Sequence, residues 1–378
     1  MSVDGMRRMR LLWIPHTRWF SGVGHRAQYL INCLKEKHEV HVITWSEPRT
    51  ASPWDFANPA VHLQALIPWI SADDAITLHH LPRWCVHRLP FLWKRNQQFL
   101  HEGVRQIVRN HGIEAIVFGP SAYLIGYPPT GTGASLIFDY VDHAPDDVLE
   151  KYLGLADSVT CVSRRLQRQV LALGRNAIYV PNGADVDGFR PDDGAKVRAE
   201  YCIEDQLVVS LIGLTCSPDF YFVESLQRLS EKKPDVVFLF VGKGPMYRPL
   251  RKALNTIRTK CIWAGWIPRE RIHGFFSASD IGLYPGADTA YFRSACPIKL
   301  LEYAAARKPS VSSPVEEIDA LGLRSVIEVE ATAGGFLAGI MQAMSRPAVS
   351  DIERIPSWRN LAARLEVVLN GGFPREWA

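Results

Sequence analysis

Long hydrophobic runs are missing from this sequence of 378 residues. The longest nearly apolar stretches, Ile113 to Pro128 and Leu207 to Pro218, are interrupted and too short to cross a bilayer. The amino terminus enters a short apolar strand after Arg7, Arg8 and Arg10, without the apolar core and small-residue cleavage site of a secretion signal. Cysteine is sparse: seven residues, scattered, with no C-x-x-C pair. That distribution fits reduced thiols in a cytoplasmic protein and argues against a zinc site. A strong net charge is also missing. At +4, bulk electrostatics imply no nucleic-acid partner. There is no short repeat and no low-complexity tract.

What is present is enough apolar residue content, 47%, to build a core in each of two ordinary domains. Charge is unevenly placed, with cations and most histidines gathered toward the amino-terminal third. Residues 79–101 carry Arg83, Arg88, Lys94 and Arg95 with no acid, interleaved with Trp84, Phe91, Trp93 and Phe99. Such a segment suits an anionic membrane surface, at the inner face of which the protein would be peripheral. The alternative is a partly buried helix with a solvated basic face.

Strand-like and helix-like patterns alternate throughout the first half. Strands are expected at 11–15, 39–45, 61–67, 115–118, 135–140, 158–162 and 177–180, with helices at 23–34, 99–110, 147–155 and 164–173. The turn-rich segment Pro181 to Pro191 breaks the pattern. Alternation then restarts, with strands at 207–213, 236–241, 260–264, 281–284 and 310–312, and helices after Pro218, near Pro249, at 269–277, after Pro297, at 334–344 and at 358–369. This is an α/β chain of two doubly wound domains, 1–180 and 193–355, joined by a linker at 181–192. The segment 356–378 is expected to cross back to the first domain. Ligands of open parallel sheets bind at the carboxyl ends of the strands, so the active site is expected in the cleft that the two domains face.

Four sets of residues carry chemistry. Pro297 opens a helix, with Lys299 in its first turn and Glu302 three residues later. The helix start attracts anions, so Lys299 with the free backbone N–H groups can hold a diphosphate, and Glu302 can accept from a ribose diol. The alternative is a surface helix with an ion pair between residues three apart. In the N-terminal loop, Gly22-Val23-Gly24-His25-Arg26-Ala27 matches G-x-G-x-x-A of the dinucleotide fingerprint, with Glu47 further on. Gly22 lies well past the expected strand end at Pro15, whereas a dinucleotide loop turns directly off its strand. Asp139, Asp142 and His143 end a strand of the first domain and are candidates to orient or deprotonate an acceptor hydroxyl. A structural strand end, with Asp142 capping the next helix, is the alternative. Asp185-Val186-Asp187 has the form of a D-x-D metal motif, but its place in the linker turn is expected to lie away from any histidine or additional carboxylate that would complete a hard-cation site. No metal is expected.

Several motifs occur in order. They are Val180-Pro181-Asn182-Gly183-Ala184-Asp185 running to Phe189 and Pro191, then Phe238 to Pro245, Trp263 to Pro268, Ser279 to Pro285, and Pro297-x-Lys299-x-x-Glu302-Tyr303. Together they resemble the GT-B glycosyltransferases related to family 4, also called group 1. The likeness covers the C-terminal half well and the N-terminal half in outline. It implies two Rossmann-like domains facing a cleft and metal-independent transfer of a hexose-type sugar. The donor would be a nucleoside-diphosphate sugar, the acceptor a glycan or lipid-linked glycan, and the anomeric outcome retention. No cofactor is expected beyond the donor. The resemblance places Lys299 on the donor diphosphate and Glu302 on the ribose, with Gly22 and Gly24 letting backbone approach the sugar phosphate.

Two departures stand out. The second glutamate of such proteins, eight residues before Glu302, is replaced by Ser294, and the loop from Gly213 to Asp219 lacks their basic pair. Arg293 and Lys243 are the cations left to support the diphosphate. The departures keep open a non-catalytic GT-B-like binding subunit, and the glycine pattern keeps open a nicotinamide-dependent oxidoreductase.

Overall fold

The computed structural model describes residues 7–15, 26–45, 66–82, 90–120, 127–214, 221–244, 246–347 and 349–373. The chain divides into two compact units. The first comprises 1–162, 166–180 and 359–378; the second comprises 163–165 and 181–358.

The first unit is built on an eight-stranded sheet. Its strands are β1 (Arg10–Ile14), β2 (Glu39–Trp45), β3 (Trp69–Asp73), β4 (Ile76–Leu81), β5 (Ala115–Phe118), β6 (Ser135–Tyr140), β7 (Ser158–Cys161) and β8 (Ile178–Tyr179). They lie in the order β3-β4-β2-β1-β5-β6-β7-β8, and only the β3–β4 pairing is antiparallel. Parallel strands covered on both faces must be apolar on both. Accordingly Leu11, Leu12, Trp13 and Ile14 of β1 and Ala115, Ile116, Val117 and Phe118 of β5 are all buried. The order reverses between β1 and β5, the position where doubly wound sheets open a crevice.

The predicted strand at 61–67 falls largely outside the described residues. The β3–β4 hairpin was not predicted, because its second strand lies in the basic, aromatic stretch. That stretch is not one element: His79 and His80 are buried in β4, while a helix begins at Pro90 and runs to His111. Leu100, Val104, Ile107 and Val108 form the buried stripe of this helix. Lys94 and Arg95 are exposed, and the Arg95 guanidinium lies 5.1 Å from the centre of the Phe99 ring. A partly buried helix with a basic outer face accounts for this part of the segment.

The second unit has a six-stranded parallel sheet: β9 (Val208–Ile212), β10 (Val237–Val241), β11 (Cys261–Gly265), β12 (Ile281–Tyr284), β13 (Ser310–Ser312) and β14 (Val326–Glu328). Its order is β11-β10-β9-β12-β13-β14, with the reversal between β9 and β12. The twofold alternation of strand side chains splits the core in two. Val209, Leu211, Phe238 and Phe240 pack on one face with the helices Tyr221–Lys232 and Ala333–Ser345. Val208, Ile212, Val237, Leu239 and Val241 pack on the other with Phe275, Phe276 and Tyr303. Among the described residues, no helix is long and apolar enough to cross a membrane.

Candidate functional site

In the second unit, three strands end on glycines that hold the left-handed backbone. Gly213 (φ +83°) follows β9, Gly242 (φ +114°) follows β10, and Gly265 (φ +70°) ends β11. Only glycine enters that region without a steric cost. The turns are bonded together at the sheet rim: Gly213 N donates to Val241 O at 2.7 Å and Gly242 N to Gly265 O at 2.6 Å. The result is a rim of bare backbone at the carboxyl edge, beside the β9/β12 switch point.

The helix Ile298–Ala305 starts at this rim. Pro297 sits one position earlier than expected, as the N-cap (φ −72°, ψ 112°), so Ile298 is the first helical residue. Lys299 therefore belongs to the first turn, where backbone N–H groups lack intrahelical acceptors. Its Nζ donates to Gly213 O at 3.0 Å. A Cβ on Gly213 would come within 2.5 Å of Lys299 Cε, so the bare backbone is what admits the lysine. Lys299, Gly213, Leu214, Tyr284 and Pro285 line a cleft against Phe222, Met246 and Leu250. Glu302, one turn deeper, is buried at 8% exposure.

Tyr303 fixes the helix to the sheet. Its ring packs where Gly282 of β12 has no side chain; a Cβ there would lie 2.5 Å from the ring. Its hydroxyl meets Ser210 Oγ at 2.8 Å, and Ser279 Oγ donates to the same Ser210 oxygen at 2.7 Å. The linker turn adds a second support: Asn182 Nδ2 donates to Cys296 O at 2.6 Å, just before the helix. Asn182 stood in a motif with no stated role, and its amide reaching a carbonyl far along the chain left no local signal.

Arg293 and Lys243 are exposed or half-buried. Arg293 is bonded to Asp288, Nε to Oδ1 at 2.5 Å and NH2 to Oδ2 at 2.9 Å, and so is already matched with an anion. Ser294 is 1% exposed, with Oγ donating to Tyr291 O at 3.0 Å. Asp185 precedes the short turn Val186–Gly188. Contrary to the expectation that no histidine lies near, His273 packs against Gly188 and its charged form is favoured by Asp185. Burial nonetheless dominates and lowers the His273 pKa.

In the first unit, Gly22 and Gly24 lie outside the described residues. β1 ends at Ile14, and the next described helix, Arg26–Leu34, opens at Arg26. Asp139 is 4% exposed and accepts from Arg26 Nε at 2.9 Å, Arg26 NH2 at 3.0 Å and Thr160 Oγ1 at 2.8 Å. Asp139 thus ties the start of the Arg26–Leu34 helix to β6 and β7.

Asp142 and His143 are half-buried beyond β6. Asp142 is not a helix cap, because the helix Asp146–Leu155 has Pro145 in that position. The segment bearing both residues is clamped instead: Ala144 N donates to Tyr140 Oη at 2.9 Å, that hydroxyl donates to Gln169 Oε1 at 2.8 Å, and Gln169 Nε2 donates to Ala144 O at 3.0 Å. Arg26 stood in the glycine motif without a role of its own and Gln169 was not marked, since each partner lies more than twenty residues away.

Comparisons with known proteins bear on the fold and on part of the second unit. Residues 220–344 match the family model described as "Glycosyl transferases group 1". Over 167 residues the chain is 29% identical to TuaH of Bacillus subtilis (strain 168), named as a teichuronic acid biosynthesis glycosyltransferase; the match covers 42% of this chain and 40% of that protein. Over 202 residues it is 24% identical to a GDP-mannose-dependent alpha-(1-6)-phosphatidylinositol monomannoside mannosyltransferase of Mycolicibacterium smegmatis, covering 48% and 53%. The matches thus span about half the length of these curated relatives. Among solved structures, a sucrose-phosphate synthase from Thermosynechococcus elongatus is similar with a TM-score of 0.67 at 15% identity, covering 96% of this chain and 95% of that one. Anabaena Alr3699/HepE in complex with UDP-glucose gives 0.59 at 15% identity, covering 96% and 95%. The chain therefore has the GT-B fold, and residues 220–344 of its second unit match the group 1 glycosyltransferase model.

Proposed function

We propose that this protein is a metal-independent glycosyltransferase that moves a hexose-type sugar from a nucleoside-diphosphate sugar to a glycan or lipid-linked acceptor. The second unit holds the donor and the first the acceptor. One observation carries the reading: Lys299 Nζ stands 3.0 Å from Gly213 O at a helix start, beside a rim of glycine backbone at the β9/β12 switch point. A cation, free N–H groups and bare backbone at one point match a diphosphate. As the glycosidic bond to that diphosphate breaks, Lys299 and the helix start stabilise the departing charge, the task a divalent ion performs in other transferases. Glu302 takes the ribose hydroxyls. Asp142 and His143 orient the acceptor hydroxyl, and the sugar is transferred with retention. The bound UDP-glucose of the Anabaena protein and the lipid acceptor in the name of the Mycolicibacterium relative support this substrate class. Lys94 and Arg95 on the outer face of the Pro90–His111 helix suit a cytoplasmic protein resting on an anionic membrane.

Thermal-shift titrations with UDP, GDP, ADP and their sugars test the donor site. At least one diphosphate should stabilise the wild type, by about 2.7 kcal/mol at a hundredfold excess over its Kd. Lys299→Ala should lose most of that shift. If no nucleoside diphosphate stabilises the wild type, the reading fails. Ser294 favours a second reading, a nucleotide-sugar-binding subunit without turnover, because a buried serine stands where the resemblance calls for a glutamate. Binding without transfer or hydrolysis across a panel of nucleotide sugars would support it.

A further inference from the structure

The first unit gathers three histidines whose ring nitrogens lie within 4.8 Å of one another: His41, His79 and His111. They come from three separate elements, β2, β4 and the last residue of the Pro90–His111 helix. On the parallel ladder His41 pairs with Thr77 and Ile43 with His79, so the two histidines are two rows apart and share a sheet face. His111 continues the buried stripe of its helix, following Val104 and Ile107 at spacings of seven and four. Ring centres are separated by 5.2 Å for His41–His79, 4.6 Å for His41–His111 and 5.2 Å for His79–His111. Three imidazoles meeting in a largely buried place bring ring nitrogens from three elements to one point.

A fourth residue makes the arrangement specific. Glu39 Oε1 lies 3.0 Å from His41 Nε2, while His41 Nδ1 lies 2.9 Å from His79 Nε2. The carboxylate draws the His41 proton to Nε2, leaving the Nδ1 lone pair directed at the other rings. A carboxylate behind an imidazole is the usual support for a metal-bound histidine.

We propose that His41 Nδ1, His79 Nε2 and His111 bind a divalent transition ion of the zinc type, with Glu39 orienting His41 and water completing four-coordination. Tetrahedral zinc with bonds of about 2.0–2.1 Å places its nitrogens about 3.3 Å apart. The His41–His79 pair opens by a few tenths of an ångström, and the half-buried His111 ring closes by about 1.5 Å at most, each within side-chain rotation. His79 shifts its proton from Nε2 to Nδ1, so no net proton change is required. The helix end at His111, followed by Gly112 at φ +60°, adds the negative end of the helix dipole. All-nitrogen ligation favours zinc, cobalt or nickel over magnesium or calcium. The ion ties β2, β4 and the helix end together within the first unit, and it takes no part in the proposed transfer chemistry.

The test uses tag-free full-length protein dialysed against EDTA and titrated with Co(II), then Zn(II). One equivalent of cobalt should produce the visible absorption of a tetrahedral site, and zinc should abolish it. Glu39→Gln should weaken cobalt binding by about 10–100-fold. His111→Gln, which spares the two buried rings, should remove stoichiometric uptake while leaving circular dichroism and nucleotide-induced thermal shifts unchanged. No stoichiometric uptake by folded wild-type protein overturns the proposal, and so does undiminished uptake by folded His111→Gln.

Discussion

Gly213 joins sequence to chemistry at one atom pair, since its missing side chain is the space Lys299 occupies. Gly213→Ala meets two costs: left-handed backbone, roughly 1–2 kcal/mol for a residue with a Cβ, and displacement of the ammonium group. Nucleotide-induced stabilisation should fall with it; an alanine variant that binds nucleoside diphosphate as the wild type does would remove Lys299 from the site. Ser294 gives the opposite case. Because it is buried and bonded to Tyr291 O, Ser294→Glu should not restore a sugar contact but should cost several kcal/mol, on the order of 3 or more, by burying a carboxylate. A chemical-denaturation midpoint equal to wild type would contradict this. His38 brings pH into the fold. Burial lowers its pKa below 6.5, against the opposing pull of Glu366 at 3.4 Å. The folded state keeps the ring neutral where the unfolded chain would protonate it, so the contribution is complete above pH 6.5 and is lost as pH falls toward the folded value. The urea midpoint should drop between about pH 7.5 and pH 5, and by less in His38→Gln; an equal drop in both would assign the effect elsewhere.

At the scale of elements, the Ile298–Ala305 helix is held to the sheet by its own Tyr303 packing into the space that Gly282 leaves open. Gly282→Ala should overpack this contact and cost about 1–3 kcal/mol, whereas Tyr303→Phe removes only the hydroxyl bond to Ser210 and should cost about 1 kcal/mol. Denaturation midpoints in the reverse order would contradict that division. Strands such as Glu39–Trp45 and Ile281–Tyr284 were legible to the residue, because β-branched and aromatic residues cluster there between turn signals. The β3–β4 hairpin was not, since Ile76-Thr77-Leu78-His79-His80-Leu81 buries its histidines and looks like surface. The placement of Lys299 and Glu302 on one helix was legible from the sequence pattern after Pro297. Arg26 with Asp139, and Asn182 with Cys296, were not, because each pair spans more than a hundred residues and neither partner is unusual by itself.

For the whole molecule, the helix Trp358–Leu369 matters most. From Arg359 onward it belongs to the first unit, where Leu361, Leu365, Val368 and Leu369 are buried and Glu366 accepts from Lys37 at 3.1 Å. Burial of each such side chain stabilises by roughly 1.5–3 kcal/mol, a sum comparable to the 5–15 kcal/mol that holds a typical domain. Deleting 359–378 should therefore unfold the first unit while the second keeps its slow amide exchange. Equal protection of β1 and β5 in deleted and full-length chains would refute this.

Membership of residues 359–378 in the first unit also sets an order of events during synthesis. The ribosome makes most of that unit first, yet its last piece emerges only after the whole second unit. The later-made body can mature while the earlier one waits, with the apolar surface that Leu361, Leu365, Val368 and Leu369 later cover open to other chains. Chaperone dependence in the cell would then follow from where the closing segment is encoded rather than from weak packing.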